Sequence, residues 1–218
     1  MHNQNETEIL KQALDGLDVE YYSNQSNTEI LVKNEDLLGV ALILKNDKKL
    51  NYEILIDVIA VDYLVYGNAD WKTNDATNTG YSRAVKPTII PDVDDTFKNR
   101  FALFYQLLSL TRNTRLTIKV FSSEINPPSV PSLVSIWNGA NWFEREAFDL
   151  MGIHFEGHPD LRRILTDYGF IGHPFRKDFP TNGNLEVVYD DEKEEVVYQP
   201  VSIKTRPGVP RVIRKDND

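Results

Sequence analysis

The chain contains no cysteine among its 218 residues. This excludes disulfide bonds, a thiolate nucleophile and a cysteine-ligated iron–sulfur cluster on this polypeptide. No apolar run is long enough to span a bilayer, and the opening MHNQNETEIL is acidic and polar, unlike a signal or transit peptide. The chain is therefore expected to stay in the cytoplasm, with any membrane association made through partners. Positive charge is in deficit, with 24 Lys and Arg against 33 Asp and Glu and a formal net charge of -9. Nucleic-acid binding, which rests on neutralising phosphates, and direct contact with an anionic leaflet are both disfavoured. A phosphate-cradling loop, a nucleophile–base pair and internal repeats are also lacking.

Hydrophobic residues make up 41% of the chain, enough for one sizeable core with an appendage rather than two full domains. Leu10, Leu14 and Leu17 recur at helical spacing behind an Asn5/Glu8 capping-box variant, which predicts a first helix over about 6–17. Residues 29–32 read as a short strand. Asn34 then caps a second helix that carries Leu37, Leu38, Ala41 and Leu42 on one face and ends near Asn46. Residues 52–65 are apolar and β-branched but interrupted by Asp57 and Asp62, a pattern compatible with one long strand or a helical turn leading into a strand. Segments 101–110 and 116–121 flank a polar stretch and predict a β-hairpin. Between these, residues 67–98 have loop composition and read as a surface insertion. Pro127, Pro128 and Pro131 lead into a helix at about 132–138; Asn141 with Glu144 restarts it, and Gly152 is placed to end it. Further on, 185–189 and 195–198 flank the acidic Asp190-Asp191-Glu192 turn and form a possible small hairpin. Residues 204–218 are basic and polar, without periodicity.

The chemistry is concentrated in residues 141–183, NWFEREAFDLMGIHFEGHPDLRRILTDYGFIGHPFRKDFPTNG. Gly152, Gly157, Pro159, Gly169, Gly172, Pro174 and Pro180 prevent one regular element here, so something outside the segment must hold it. Arginine and aromatic residues are enriched at the centres of protein interfaces, and this composition points to docking before catalysis. On the helix after Asn141, Phe143, Ala147, Leu150 and Met151 share a core face, while Arg145 and Asp149 sit four apart and can pair. The other face is left for a partner. Arg162, Arg163, Arg176 and Lys177 lie among Leu161, Ile164, Leu165, Tyr168, Phe170 and Phe175, an interleaving that favours burial of guanidinium stems against carboxylates or carbonyls of a partner.

Two chemical alternatives fit this segment less well. His154, His158 and His173 with Asp149, Asp160 and Asp178 supply metal-ligand types, and His154/His158 have i, i+4 spacing. Gly157 and Pro159 interrupt the helix that such a pair requires, and no glutamate follows the first histidine. His158 and His173, each before a proline, are expected instead to hydrogen-bond neighbouring turns. Glu144 and Glu146 are two apart on a helix and point to different faces, which suits a role near the helix dipole better than acid/base catalysis on one atom.

The same residues closely resemble the signature of the 30-kDa-type hydrophilic subunit of respiratory complex I, the proton-translocating NADH:quinone oxidoreductase. The resemblance is carried by Glu144-Arg145-Glu146, Asp149, Gly152-Ile153, His158-Pro159, Leu161-Arg162-Arg163-Ile164-Leu165, Asp167-Tyr168-Gly169, His173-Pro174 and Arg176-Lys177-Asp178-Phe179-Pro180. It runs over roughly 32–201, most densely over 139–180, and fails across the insertion. It implies an α+β fold, a small sheet with packed helices over residues 1–153 (with the insertion at about 67–98), followed by an extended subunit-docking arm over 154–218. It further implies a non-catalytic subunit that braces the quinone-site subunit, the 49-kDa type, in electron transfer from NADH to quinone. FMN and the iron–sulfur clusters would sit on other subunits, with no cofactor or metal on this chain. The complex would hold it at the cytoplasmic face of a bacterial plasma membrane, or on the matrix side in an organelle. The interface residues expected on this basis are Glu144, Arg145, Asp149, His158, Arg162, Arg163, Tyr168, His173, Arg176, Lys177 and Asp178. The alternatives are a related subunit of a membrane-bound hydrogenase or ferredoxin-linked complex, and a stand-alone metal-dependent hydrolase using His158, His173 and nearby aspartates.

Overall fold

In–out alternation of apolar side chains builds the main sheet of the computed structural model, which describes residues 2–23, 28–64, 66, 71–73, 85–87, 99–123 and 127–203. In chain order, helix α1 (His2–Ala13) is followed by strands β1 (Val19–Ser23) and β2 (Thr28–Val32), and helix α2 (Leu37–Asn46) by β3 (Ile54–Asp62). Next come β4 (Trp71–Thr73), β5 (Val85–Pro87), β6 (Phe101–Ser109), β7 (Thr114–Phe121) and β8 (Ser129–Pro131). Helix α3 (Ala140–Met151), β9 (His154–Glu156), β10 (Leu185–Asp190) and β11 (Glu195–Pro200) complete the order. None of these helices is long and apolar enough to cross a membrane.

The five-stranded sheet has the order β1-β2-β7-β6-β3, with β2 parallel to β7 and the other pairs antiparallel. Alternate residues Ile30 and Val32, Phe101, Leu103, Tyr105 and Leu107, and Leu116, Ile118 and Val120 enter one core with Leu10 and Leu14 of α1 and Leu37, Val40, Ala41 and Leu44 of α2. Burial of each such side chain stabilises the fold by about 1.5–3 kcal/mol. Two polar contacts lie within this core: the Tyr52 hydroxyl donates to Glu6 at 2.7 Å, and Trp137 Nε1–H donates to the Tyr52 carbonyl at 3.1 Å, whereas the buried Tyr105 hydroxyl has no hydrogen-bond partner among the described residues.

The α+β class is as expected, as are the β6–β7 hairpin, the Asn46 end of α2, the Gly152 end of α3, and the β10–β11 hairpin. Helix α2 starts at Leu37 behind a short turn at 34–36, so Asn34 does not cap it, and it buries Leu37, Val40, Ala41 and Leu44 while Leu38 and Leu42 are exposed; α3 starts at Ala140, so Asn141 lies inside it. Other expectations are corrected. Helix α1 begins at His2 and ends at Ala13, before Gly16 at φ 87, so Asn5 lies inside it rather than at its cap. The apolar stretch at 52–65 resolves as strand β3, with a bulge between Leu55 and Asp57. The helix expected at 132–138 is a single turn, closed by Trp137 N–H to the Leu133 carbonyl at 2.9 Å and capped by Glu144 of α3, which accepts Leu133 N–H. Strand β1 and the short parallel β8–β9 pair were not foreseen.

The chain divides into two compact units, Met1–Leu64 with Val93–Lys177 and Val65–Asp92 with Asp178–Asp218. The boundary expected after residue 153 therefore falls after Lys177: residues 158–177 are hydrogen-bonded to α3 and do not leave it as an extended arm. Within the second unit, β4 pairs with β5 and β10 with β11. Apart from the β4–β5 pair, the insertion at 67–98 lies outside the described residues, as do residues 204–218.

Candidate docking site

Helix α3 buries three charged side chains, with Glu144 and Asp149 at 0% exposure and Arg145 at 9%. Charges survive in such places only when paired and hydrogen-bonded. Glu144 accepts the Ser132 hydroxyl at 2.6 Å and Leu133 N–H at 2.7 Å, which fastens the turn before α3 to the helix. Burial pushes its carboxyl up to about 7, although these two bonds oppose the rise.

Asp149 organises the segment that returns across α3. One carboxylate oxygen accepts three successive amides, from Ile164, Leu165 and Thr166, at 3.0, 2.7 and 2.8 Å. The other accepts Arg163 Nη1 at 2.9 Å and the Thr166 hydroxyl. Burial alone would raise this carboxyl, but the Thr166 hydroxyl and the three amides outweigh it and hold Asp149 well below the usual carboxylate range. Arg163 also donates to the Gly172 carbonyl at 3.0 Å, while Arg145 donates to the Arg162 and Arg163 carbonyls at 3.1 and 3.3 Å.

The last carbonyls of α3 need donors, and basic side chains favour this negative helix end. His173 Nδ1–H donates to the Asp149 carbonyl at 2.9 Å, Arg176 Nε to Met151 at 2.6 Å, and Arg176 Nη2 to Gly152 at 3.2 Å. Burial, with Arg176 and Arg163 nearby, lowers the His173 pKa, which suits a neutral ring donating from Nδ1. Gly152 ends the helix at φ +70, and a Cβ there would lie 2.5 Å from Arg176 Nη2 and from the His173 ring. The position thus requires glycine for both conformation and space.

A second buried carboxylate fixes the end of this strap. Asp62 receives Arg100 through two bonds of 2.9 and 2.8 Å, together with Leu64 N–H at 3.0 Å and Lys177 N–H at 2.9 Å. Both members of the pair are almost wholly buried. The Arg100 and Arg176 guanidinium groups lie 4.6 and 5.0 Å from the Phe101 ring centroid, so one aromatic side chain packs against both.

The expected site residues therefore separate. Asp149, Arg163, His173 and Arg176, with Arg145, converge at the end of α3, whereas Glu144 faces the 132–133 turn. The expected Arg145–Asp149 pair is replaced: Asp149 takes Arg163, fourteen residues away, and Arg145 takes carbonyls. Glu144, Arg145 and Asp149 face inward, so their charges serve this chain and are not displayed to a partner. His158 accepts Asp160 N–H at 3.0 Å in the adjoining turn, as expected, and its Nε2 bonds the Asn141 carbonyl at 3.2 Å, whereas His173 reaches a carbonyl of α3 instead of a neighbouring turn. Arg162 is exposed and forks onto Asp160, with its closest contact at 2.7 Å. Lys177 and Asp178 are exposed, and Tyr168 is 92% exposed. Among the described residues, no three His, Asp or Glu side chains form a group that could hold a metal.

Sequence reasoning missed Asp62, Arg100 and Thr166. An aspartate inside an apolar strand is the one available signal, since a buried carboxylate demands a cation and amide donors from elsewhere. What the strap presents outward is apolar: Leu165, Tyr168, Ile171 and Phe175 are each at least 60% exposed.

The family model described as "Respiratory-chain NADH dehydrogenase, 30 Kd subunit" matches residues 30–185. The C subunit of NADH-quinone oxidoreductase from Coxiella burnetii (strain Dugway 5J108-111) is 53% identical over 181 residues, covering 83% of this chain and 79% of that protein. Its counterpart in Hydrogenovibrio crunogenus is 52% identical over 190 residues, covering 86% and 85%. A chain of an archaeal respiratory membrane complex, the membrane-bound sulfane sulfur reductase, shares the fold with a TM-score of 0.57 at 20% identity, over 81% of this chain and 86% of that one. The internal bonding of 144–177 lies wholly within the family match, and the chain belongs to the 30-kDa subunit family of respiratory-chain NADH dehydrogenase.

Proposed function

We propose that the chain is a non-catalytic bracing subunit of an NADH-quinone oxidoreductase, seated through its strap on the quinone-site subunit of the 49-kDa type. The observation that carries this reading is the strap itself: an irregular segment locked by buried Asp149 and Asp62 that holds Leu165, Tyr168, Ile171 and Phe175 in water. Internal hydrogen bonds fix the backbone before any partner arrives, which lowers the ordering cost of docking. Large apolar and aromatic side chains on a rigid frame are the usual anchors of protein interfaces. The polar groups beneath them are engaged in holding backbone and are not arranged as an acid, base and nucleophile set. FMN and iron–sulfur chemistry belongs on neighbouring subunits in this reading, consistent with a chain that has no cysteine to ligate a cluster. The chain sits peripherally, on the cytoplasmic face of a bacterial membrane or the matrix side in an organelle.

The test uses full-length tagged chain expressed in its own bacterial membranes, with Tyr168→Asp/Ile171→Asp as the variant. The wild type should copurify with the oxidoreductase. The variant should lower the amount of assembled complex while NADH:quinone turnover per assembled complex stays the same. Normal assembly with lost turnover would place the strap in the redox chemistry and overturn the bracing role.

A further inference from the structure

The main sheet has two unlike halves on the side away from its core. Helices α1, α2 and α3 send their buried side chains into the core on one face, and the intervening strand residues point the other way. On β1, β2 and β7 these outward positions include Glu20 and Tyr22, Glu29 and Arg115, the polar side chains expected where a sheet face meets water. On β3 and β6 they carry Ile54, Ile59, Val61, Phe104 and Leu108, with Asp57 and Gln106 as the polar exceptions. Ile54, Ile59 and Ile56 at the bulge are 38%, 43% and 41% exposed, so this apolar half is open to water. The register lines up Ile59, Phe104, Lys119 and Leu31 in one row across four strands, which sets a cation inside the apolar surface. The Lys119 ammonium lies 5.0, 5.3 and 5.4 Å from the ring centroids of Phe121, Phe104 and Tyr63, and cation–π attraction holds it there. Among the described residues, no carboxylate pairs with it.

We infer that the outward face of β3 and β6 seats a helix of another protein, whose apolar stripe lies on Ile54, Ile59 and Phe104 and carries one Asp or Glu that meets Lys119. Charge complementarity selects that carboxylate. A half-buried ammonium loses its remaining water when the face is covered, and an opposing charge in the covering surface compensates and fixes the register of docking. Addition of a strand to the β3 edge is the other way to cover this corner. The bulge between Leu55 and Asp57 interrupts the edge ladder that such a strand would need, so the face and not the edge is the docking surface. An anionic leaflet would be repelled by Glu20, Glu29 and Asp57 on the same side of the sheet. This contact lies outside residues 154–218; it goes beyond the bracing role and does not require it.

The experiment uses full-length tagged chain in its own bacterial membranes, with photoreactive p-benzoylphenylalanine in place of Ile56. Irradiation should join it to an apolar helix face bearing an Asp or Glu on another protein. Ile59→Asp or Lys119→Glu should lower the yield of that product by about tenfold or more, the scale of losing an interface anchor. Lys119→Arg should keep the yield, as should Leu42→Asp, which charges an exposed leucine on α2 instead. Changing the partner's carboxylate to lysine should lower the yield with Lys119 intact and restore it with Lys119→Glu. Should Lys119→Glu lower the melting temperature of the chain, Lys119→Met removes the charge while keeping an apolar stem on the rings, and the same tenfold loss is expected. Cross-links to residues 67–98 of the same chain, to a second copy, to lipid or to nothing would overturn the proposal. So would a yield indifferent to the Lys119 charge, or an equal loss with Leu42→Asp. If Tyr168→Asp/Ile171→Asp leaves assembly intact while the Ile56 product and its charge reversal persist, the strap reading fails and the sheet-face surface stands.

Discussion

The main sheet and the strap at 158–177 are ordered by different physics. The sheet buries alternate apolar residues from β2, β6 and β7 against three helices, and each contact is replaceable by another of similar volume. The strap contributes Leu161 to the edge of that core and presents Leu165, Tyr168, Ile171 and Phe175 to water. Its order comes from a few buried polar atoms, above all the carboxylates of Asp149 and Asp62. A few polar anchors hold the strap where many apolar contacts hold the sheet, so single substitutions should release the strap with the sheet still folded.

The largest separation is expected for Asp149→Ala. Removing one member of a buried charge pair costs about 3–5 kcal/mol, and here three amides lose their acceptor as well. Limited proteolysis of the full chain should cut first within 158–177 while the sheet remains protected. Leu103→Ala, which opens a cavity in the sheet core at a cost of about 2–5 kcal/mol, should instead lower the whole unfolding transition. Acid should imitate the Asp149 change: the depressed pKa makes its contribution full above the ordinary aspartate range and lost as pH falls through the lowered value.

Glu144 should show the opposite sign. Its carboxyl rises from 4.5 to about 7 on folding, so the folded state binds the extra proton between those values. Stability is full below the unfolded pKa and falls as pH rises to about 7, by roughly 3 kcal/mol at about 1.36 kcal/mol per unit. Urea denaturation of the full chain at pH 4.5 to 8 measures this slope. Glu144→Gln should flatten it and leave the protein at least as stable as wild type at pH 8.

A smaller effect distinguishes two glycines at the ends of α3. Gly152→Ala must accommodate φ +70 and displace Arg176 and His173, which should cost about 1–3 kcal/mol in thermal unfolding. Gly139→Ala, where a Cβ meets open space, should change little. Smallest of all is Arg162→Ala: its partner Asp160 is exposed, and the melting temperature should match wild type, whereas Arg163→Ala should lower it measurably.

The parts of the sheet that were legible, β2 and the β6–β7 hairpin, carry a local signal, whereas β1 and the strand order do not. The 101–121 hairpin announces itself through alternation around a polar turn, and α3 through its apolar face and Gly152. The failures are non-local. Nothing near Leu133 shows that its amide is taken by a glutamate eleven residues on, nor that the helix expected at 132–138 closes after one turn. The i, i+4 spacing made Arg145 and Asp149 a natural pair, yet Asp149 is held by three amides and Arg163 instead, and Arg145 by carbonyls. Arg163 and Arg176 were expected to meet carboxylates or carbonyls of a partner, and the carboxylate and carbonyls they meet lie within this chain.

Amide hydrogen exchange on the isolated full-length chain tests most directly whether buried polar groups order the strap without a partner. Leu165 and Thr166, whose amides end on Asp149, should be protected in the wild type and exchange freely in Asp149→Ala, while the amides of β6 and β7 stay protected in both. Rapid exchange of Leu165 and Thr166 in the free wild-type chain, with protection appearing only in the assembled complex, would contradict the account.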